Sequence, residues 1–355
     1  MFQKKMIIGM LATLFFAQST FALNIDESNP ISTTIKKHTL IGAQPSKEIV
    51  LMNLNLTPKE IGMIKNYKPK ATSLLRKSTL PEKVDVGMNG VPVLDQGRHG
   101  SCVTFANTGA VDALLGKGDY VSQLCNLELG RYLKLRSGLP SGWNGSIGEL
   151  VLEQMIRFGV INKKYQSTKS CGGLTDYPVY DSEEMGKAMT LDEFNAGSEK
   201  IYKNIWWKPV LHWTERFDEN TLHPYDGVKV VDEVKQYLAQ NPKANSRFTF
   251  GVILPYTYCS AGACGKYHST YDSWVLTDEI NNDPKDLGGH EMIITGYDDN
   301  AVAVDESGKS HKGLFTIRNS WGEDAGDHGN YYMSYDYFMK FTDEIQKITS
   351  EKMAM

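Results

Sequence analysis

Cys102 has the local surroundings of a reactive thiol. It follows a glycine-containing turn, residues 96–101, and apolar residues recurring at helical spacing predict a helix over residues 101–115. The amino end of a helix carries partial positive charge and free N–H groups, and both favour the thiolate, which is the nucleophilic form of cysteine. The alternative is a buried structural cysteine, and position alone does not decide between the two.

A thiolate nucleophile needs a partner that exchanges protons near neutral pH, and imidazole is suited to this. Of the eight histidines, His290 stands at the start of an apolar run that predicts a strand. Asn319 ends a later run of the same kind, two residues before Trp321. An asparagine at a strand end can hold an imidazole in one orientation, and a neighbouring tryptophan can shield that bond from water. His99 is nearer to Cys102 in sequence, but no residue is evident that would orient it.

The elements that must position these residues follow a simple order along the chain. Hydrophobic spacing predicts further helices over residues 147–158 and 228–238, and a capping box at 57–60 predicts a short helix that ends before Pro69. Short alternating runs separated by turn residues predict strands at 248–254, 292–297, 314–318 and 331–335. Helices followed by strands predict an α+β fold with two lobes, one helical and one an antiparallel, barrel-like sheet. Residues 174–230 carry no pattern that places them.

The amino-terminal residues 1–22 have the pattern of an export signal. Lys4 and Lys5 precede an apolar run over residues 6–17, and small residues follow at 20 and 22. The run is too short to span a bilayer, and the alternative is a buried amino-terminal helix. No later stretch of sequence is long and apolar enough to span one. We therefore expect a secreted or extracytoplasmic protein with no membrane partner once the signal is removed.

Export permits disulfide bonds. The chain has five cysteines, and an odd number leaves one thiol unpaired or in an intermolecular bond. With Cys102 set aside as the nucleophile, the other four allow three pairings. A short link of small residues separates Cys259 from Cys264 and favours their pairing. Cys125 would then pair with Cys171.

Composition excludes some classes of partner. The chain has 355 residues, of which 41% are hydrophobic and 23% charged, values typical of a globular protein. The formal net charge of −4 argues against nucleic acid as the main partner, because phosphate binding needs a basic surface. The cysteines and histidines show no close zinc-ligand spacing, and we expect no metal or organic cofactor.

Taken together, several stretches of this sequence resemble the papain-like cysteine peptidases. The turn with glutamine and cysteine, the histidine strand and the Asn-Ser-Trp-Gly motif occur in that family in the same order. A mature amino terminus and a glycine-rich segment for the substrate backbone are also similar. The matching stretches are residues 80–85, 96–102, 142–146, 289–290 and 319–322. The resemblance covers about residues 80–355, apart from a poorly matched middle.

The resemblance implies a chemical role for each motif. Cys102 would attack a peptide carbonyl, His290 would move the protons, and Asn319 would orient the imidazole across a cleft between the two lobes. The side-chain amide of Gln96 and the backbone N–H of residue 102 would form the oxyanion hole. No cofactor takes part in this chemistry.

The substrate implied by the resemblance is a peptide or a protein. Gly145 would allow the substrate backbone to approach, and Trp321 would contact the substrate. His99 and Trp143 stand where the family commonly has cysteine, so a usual disulfide is missing. Val103 stands where a tryptophan usually follows the nucleophile. These departures affect substrate preference more than the reacting groups.

The sequence predicts a signal peptide over residues 1–22, a prosegment over 23–79 and a peptidase domain over 80–355. The domain would divide into a helical lobe over about 80–220 and a β lobe over about 221–355. The prosegment would inhibit the enzyme within the same chain, with the alternating run at 50–56 lying in the cleft like a substrate strand. We expect maturation by a cut near residues 76–80. The alternative is an extension packed on the body without an inhibitory role.

Three other functions remain open at this stage. An exopeptidase would need an insertion that caps one end of the cleft, and residues 259–287 are the candidate. A catalytically inactive papain-like fold could serve as a binding protein. The same side chains could also transfer acyl groups to amines instead of water.

Overall fold

The computed structural model describes residues 31–41, 46–69, 79–181, 185–218, 225–240 and 245–351. The predicted signal peptide lies outside these residues, and so does most of the predicted cutting site. Among the residues described, no helix is long and apolar enough to cross a membrane.

The helices begin and end where their capping residues require. α1 begins at the predicted capping box, in which Thr57 and Glu60 each accept a hydrogen bond from the other's backbone N–H. α2 ends at Gly116, whose φ of 67° lies in the left-handed region that favours glycine. The helices of the described residues are α1 Pro58–Asn66, α2 Cys102–Leu115, α3 Gln123–Ser137, α4 Gly148–Phe158, α5 Lys163–Lys169, α6 Leu191–Gly197, α7 Trp213–Phe217, α8 Gly227–Ala239, α9 Asp278–Asn282 and α10 Tyr335–Phe341.

The strands join in one large sheet in the order β4-β11-β5-β8-β6-β7-β10-β9, and β8 also pairs with β2, β3 and β9. Neighbouring strands in the part of the chain described are antiparallel, except that β7 and β10 are parallel. The strands are β1 Ile31–Leu40, β2 Lys47–Leu54, β3 Lys83–Asp85, β4 Ile205–Leu211, β5 Ser246–Pro255, β6 Gly265–Lys266, β7 Ser273–Trp274, β8 Leu287–Asp305, β9 Ser310–Arg318, β10 Asn330–Ser334 and β11 Thr342–Ser350.

The predicted α+β class is confirmed. The predicted helices correspond to α1, α2, α4 and α8, and the predicted strands to β5, β8, β9 and β10. The unplaced region 174–230 contains α6, β4 and α7. β4 falls within the range that the sequence assigns to the helical lobe, yet it pairs with β11 at the edge of the sheet.

Three main hydrophobic clusters form the core of the described residues. One packs the sheet against α8 and α10 and contains large aromatic side chains such as Phe248 and Phe338. A second contains residues of α2 itself. A third lies among the helices around Leu127 and Trp143. α2 is buried from Cys102 to Leu114, because it packs against both the helices and strands β5 and β8. Its central place fixes the position of its first residue between the two lobes.

The structure joins Cys125 to Cys171 and Cys259 to Cys264, the two pairs that the sequence predicts. Cys102 has a free thiol and is buried. The first bridge ties α3 to the turn that follows α5. The second closes the loop that leads from β5 to β6.

Candidate active site

Cys102 is the first residue of α2. Its side chain is fully buried, and this burial raises the pKa of the thiol to about 12. A hydrogen bond from the backbone N–H of Glu291 lowers the pKa of the thiol, against the effect of burial. The sulfur therefore lies next to the residue that follows His290 on β8. The thiol is therefore protonated at neutral pH in this covered state.

His290 lies on β8 and Asn319 directly follows β9, and the pairing of these strands brings the two side chains together. Asn319 Oδ1 is 2.8 Å from His290 Nε2. The other ring nitrogen, Nδ1, has no hydrogen-bond partner among the described residues. Burial lowers the pKa of His290 to about 4, against the opposing effect of the Asn319 bond, so the ring is neutral here.

The ring of Trp321 covers the His290–Asn319 pair. The imidazole and the indole stack with their centroids 4.6 Å apart and an angle of 26° between their planes. Asn319 is itself held by its backbone N–H, which donates to the Gly329 carbonyl at 3.0 Å. The imidazole is thus oriented by one hydrogen bond that is protected from water. A contact between Trp321 and substrate remains a prediction.

Gln96 is buried and bridges the turn of the nucleophile to the end of β9. Its Oε1 accepts from Ser320 Oγ at 2.8 Å, and its Nε2 donates to the His99 carbonyl at 2.9 Å. One amide hydrogen therefore remains for an oxyanion, because a side-chain amide nitrogen carries two. The role of Gln96 in an oxyanion hole stays a prediction.

Gly145 lies in the glycine-rich segment that runs beside the nucleophile's turn. Its φ of 124° favours glycine, and its carbonyl accepts from the Gly142 N–H at 3.2 Å. The neighbouring residue Asn144 forms a bridge with Gly100, two residues before Cys102. The segment therefore borders the candidate site, and substrate binding by Gly145 stays a prediction.

The amino-terminal hairpin β1–β2 contacts the candidate site on two sides, at the histidine strand and at the turn before Cys102. Met52 of β2 pairs with Gly289 of β8, next to the histidine. On the other side, the Ile35 side chain of β1 lies so close to Gly100 that a Cβ there would be 2.6 Å from it. The sequence predicts a strand at 50–56 in which alternate residues are buried. In the structure, residues 49–52 are all buried instead. A strand enclosed on both faces explains this pattern.

An aromatic cluster that the sequence did not reveal supports the nucleophile's turn. The ring centroids of His99 and Trp143 are 4.7 Å apart, at the two positions where the usual disulfide is missing. Tyr177 stacks on Trp143 with an interplanar angle of 5°. Its hydroxyl donates to the Gln96 carbonyl at 2.9 Å and lies 2.8 Å from Ser101 Oγ. Tyr177 comes from the unpatterned region 174–230, where no sequence signal pointed to it.

We expect Tyr177→Phe to lower kcat/KM about 5- to 30-fold with only a small change in the melting temperature. The substitution keeps the stacked ring and removes one hydroxyl, and a lost buried hydrogen bond costs about 1–2 kcal/mol. The measurement is hydrolysis of a fluorogenic peptide together with thermal unfolding. Tyr332→Phe is the matched control, because it removes a hydroxyl that donates to Asp327 and lies on β10, away from the nucleophile's turn. Equal losses in both variants would contradict a positioning role for Tyr177.

Comparisons with known proteins agree with these motifs. Residues 282–353, which contain His290 and Asn319, match the model of the Peptidase C1-like family. A probable cysteine protease of Arabidopsis thaliana is 24% identical over 290 residues, covering 77% of this chain and 64% of that protein. The oryzain gamma chain of Oryza sativa subsp. japonica is 26% identical over 262 residues, covering 72% of this chain and 56% of that protein.

Among solved structures, xylellain, a cysteine protease from Xylella fastidiosa, aligns with 81% of this chain and 91% of its own. Its sequence identity is 20% and the TM-score is 0.46. The chain spans less than two thirds of the length of the two plant relatives. The family model and the plant relatives confirm the resemblance that the motifs predict.

Proposed function

We propose that this chain, a relative of the papain-like cysteine peptidases, is an exported cysteine endopeptidase that is made as an inactive precursor. Cys102 is its nucleophile, His290 its acid and base, and Asn319 the residue that orients the imidazole. The observation that carries the proposal is the oriented imidazole. His290 is hydrogen-bonded to Asn319 at 2.8 Å, stacked on Trp321 and has its second ring nitrogen unpartnered among the residues described.

The proposed reaction follows from these positions. The Cys102 sulfur attacks the carbonyl carbon of a peptide bond, and His290 gives its proton to the leaving amine as the C–N bond breaks. The thioester that remains is attacked by water, from which His290 takes a proton, and the thiol is regenerated. Gln96 and the backbone N–H of residue 102 would hold the oxyanion in both steps.

Inactivity of the precursor is supported by the charge state of the covered site. With a thiol pKa of about 12 and an imidazole pKa of about 4, neither Cys102 nor His290 carries a charge at neutral pH. The β1–β2 hairpin excludes both water and substrate from the pair. Removing it restores water and allows the thiolate and imidazolium to stabilise each other.

The hairpin is held by contacts on both sides of the site. Lys47 Nζ lies 2.7 Å from an Asp95 carboxylate oxygen and 3.0 Å from an Asp324 oxygen, so it ties β2 to the segment before Gln96 and to the turn after Trp321. α1 docks separately on the β lobe, where Lys340 Nζ donates to the Tyr67 carbonyl at 2.8 Å. These contacts support an inhibitory segment that is attached at two places.

The test is hydrolysis of a long peptide with blocked ends by the chain cut between residues 70 and 78. We expect internal cleavage, with a bell-shaped dependence of kcat/KM on pH. The acidic limb reports formation of the thiolate and the basic limb reports loss of the imidazolium proton. A rate that only rises up to about pH 8.5, the value of a free thiol, would contradict an activated pair. No cleavage of the blocked peptide, together with release of terminal residues from the same peptide with free ends, would show an exopeptidase.

A further inference from the structure

Two buried polar side chains meet where α3 supports the glycine-rich segment 142–146, and the proposed reaction uses neither of them. Glu128 of α3 is 0% exposed and Trp143 is 1% exposed. Glu128 Oε1 and Trp143 Nε1 both lack a hydrogen-bond partner among the described residues. A buried acceptor and a buried donor without partners are each costly, and a native structure seldom keeps such groups without a reason.

The two groups point toward each other. Burial raises the pKa of Glu128 to about 7, against the lowering effects of the Arg131 charge, the backbone N–H of Gly186 and the indole N–H of Trp143. The indole N–H is therefore directed at the carboxylate, although the hydrogen bond between them is not complete. Arg131 Nη1 lies 3.4 Å from the other carboxylate oxygen, Oε2. A carboxylate has lone pairs enough for the indole as well as these neighbours.

The glycine-rich segment lies directly on α3. A Cβ on Gly130 of α3 would be 2.2 Å from the Ser141 carbonyl oxygen, and a Cβ on Gly142 would be 2.9 Å from Leu127 Cδ2. The absence of side chains at these two glycines is what allows this close approach. Glu128 stands on the same stretch of the helix, between Leu127 and Gly130. The position of the segment therefore depends on what this part of α3 presents to it.

Trp143 connects this support to the nucleophile's turn. Its ring stacks on Tyr177 with the centroids 5.7 Å apart, and the His99 ring meets it edge-on at 4.7 Å. The next residue, Asn144, forms a bridge with Gly100 of the turn. A shift of the indole therefore moves the segment relative to the nucleophile, and a bond that fixes the indole also fixes the segment.

The hydrogen bond is incomplete in a structure whose site is covered. The Ile35 side chain of the hairpin lies against Gly100, the residue to which Asn144 bridges. The hairpin therefore contacts the segment's neighbour in the uncut chain, and substrate takes its place after the cut. A hydrogen bond that forms only with substrate bound contributes to substrate binding, so its loss raises KM and leaves kcat unchanged.

We propose that Glu128 is a positioning residue for substrate. When the segment 142–146 binds a peptide backbone, the Glu128 carboxylate accepts a hydrogen bond from the indole N–H of Trp143 and fixes the segment beside Cys102. The proposal rests on the function proposed above, since it concerns substrate binding at the same site. Glu128 acts through Trp143 and does not touch substrate. Glutamine can replace it, because its amide oxygen is also an acceptor, whereas leucine cannot.

The experiment compares variants of the full chain, cut between residues 70 and 78, on a fluorogenic peptide with several residues before the scissile bond. We expect Glu128→Leu and Trp143→Phe each to raise KM about 5- to 30-fold with kcat nearly unchanged, the range of a lost buried hydrogen bond. The double variant should lose no more than either single variant, because both remove the same bond. Glu128→Gln should keep KM within about twofold of the wild-type value, since it retains the acceptor.

Gln166→Leu is the matched control. Gln166 is buried on α5 and accepts a hydrogen bond from Ser122 Oγ at 2.7 Å, so its loss removes a buried polar side chain of the same size as Glu128. This variant should lower the melting temperature without raising KM. Labelling of Cys102 by iodoacetamide is the second readout, and its rate should be equal in the wild type and all variants, because the bond to Trp143 positions substrate and not the thiol.

The outcomes separate this proposal from the proposed function. An active wild type with an unchanged KM in Glu128→Leu overturns the positioning role and leaves the peptidase intact, and so do additive losses in the double variant or slower labelling with a lower kcat. If Glu128→Leu does not fold, Trp143→Phe decides alone, because it retains an aromatic ring against Tyr177 and removes the N–H. A wild-type chain that neither hydrolyses peptides nor is labelled at Cys102 overturns the proposed function, and the positioning role with it.

Discussion

Cys102→Ala is expected to abolish peptide hydrolysis while leaving the fold intact. Loss of a nucleophile in a comparable triad lowers kcat by a factor on the order of 10⁶, and the other reacting groups cannot replace it. The cost in stability should be small, since the side chain loses only a sulfur atom at the end of a well-packed helix, about 1 kcal/mol. The measurement is kcat/KM on a fluorogenic peptide, with the melting temperature recorded for the same samples.

Thiol labelling provides the control for this variant. After the cut between residues 70 and 78, an alkylating reagent should add one label to the wild-type chain and none to Cys102→Ala, because the other four cysteines are paired. The pH dependence of the labelling rate should follow that of hydrolysis, since both need the thiolate. Hydrolysis by the alanine variant at more than about 1% of the wild-type rate would assign the reaction to another nucleophile.

The residues of the candidate site could be predicted from sequence because each depends on local structure. Cys102 begins a helix whose apolar spacing and terminal glycines are visible in the sequence. His290 and Asn319 stand at recognisable points of strands β8 and β9. The capping box at Thr57 likewise fixes the start of α1 from four consecutive residues. In all of these cases the information lies within about ten residues of the feature.

The support of the nucleophile's turn depends instead on contacts between distant parts of the chain. Tyr177 reaches Gln96 from a region without helical or strand periodicity. Burial also changes the expected chemistry. A helix start favours a thiolate, yet burial raises the pKa of Cys102 instead.

Cutting the chain between residues 70 and 78 is expected to raise activity at least about 100-fold over the uncut chain. In the uncut chain, substrate can bind only to the molecules whose hairpin has left the site. The smaller this fraction is, the weaker the measured affinity for substrate. Cutting is preferable to deletion, because α1 covers Arg216 and Lys340, whose side chains would otherwise lose their aromatic and carbonyl partners. The cut lets the hairpin and α1 dissociate together as one fragment, and a fragment still present in solution can cover Arg216 and Lys340 again.

Lys47→Ala tests whether the hairpin itself is the block. The substitution removes ion pairs that join β2 to Asp95, before Gln96, and to Asp324, after Trp321, and the Lys47 side chain is 16% exposed. We expect the uncut variant to show several-fold to tenfold more activity and faster labelling of Cys102, since each 1.4 kcal/mol shifts the open population tenfold. Lys309→Ala is the matched control, because it removes an exposed ion pair with Asp278 at the β8–β9 turn. If the uncut chain is as active as the cut one, residues 23–79 are a structural extension without an inhibitory role. If Lys47→Ala leaves the activity and the labelling rate of the uncut chain unchanged, the inhibition does not depend on the Lys47 contact.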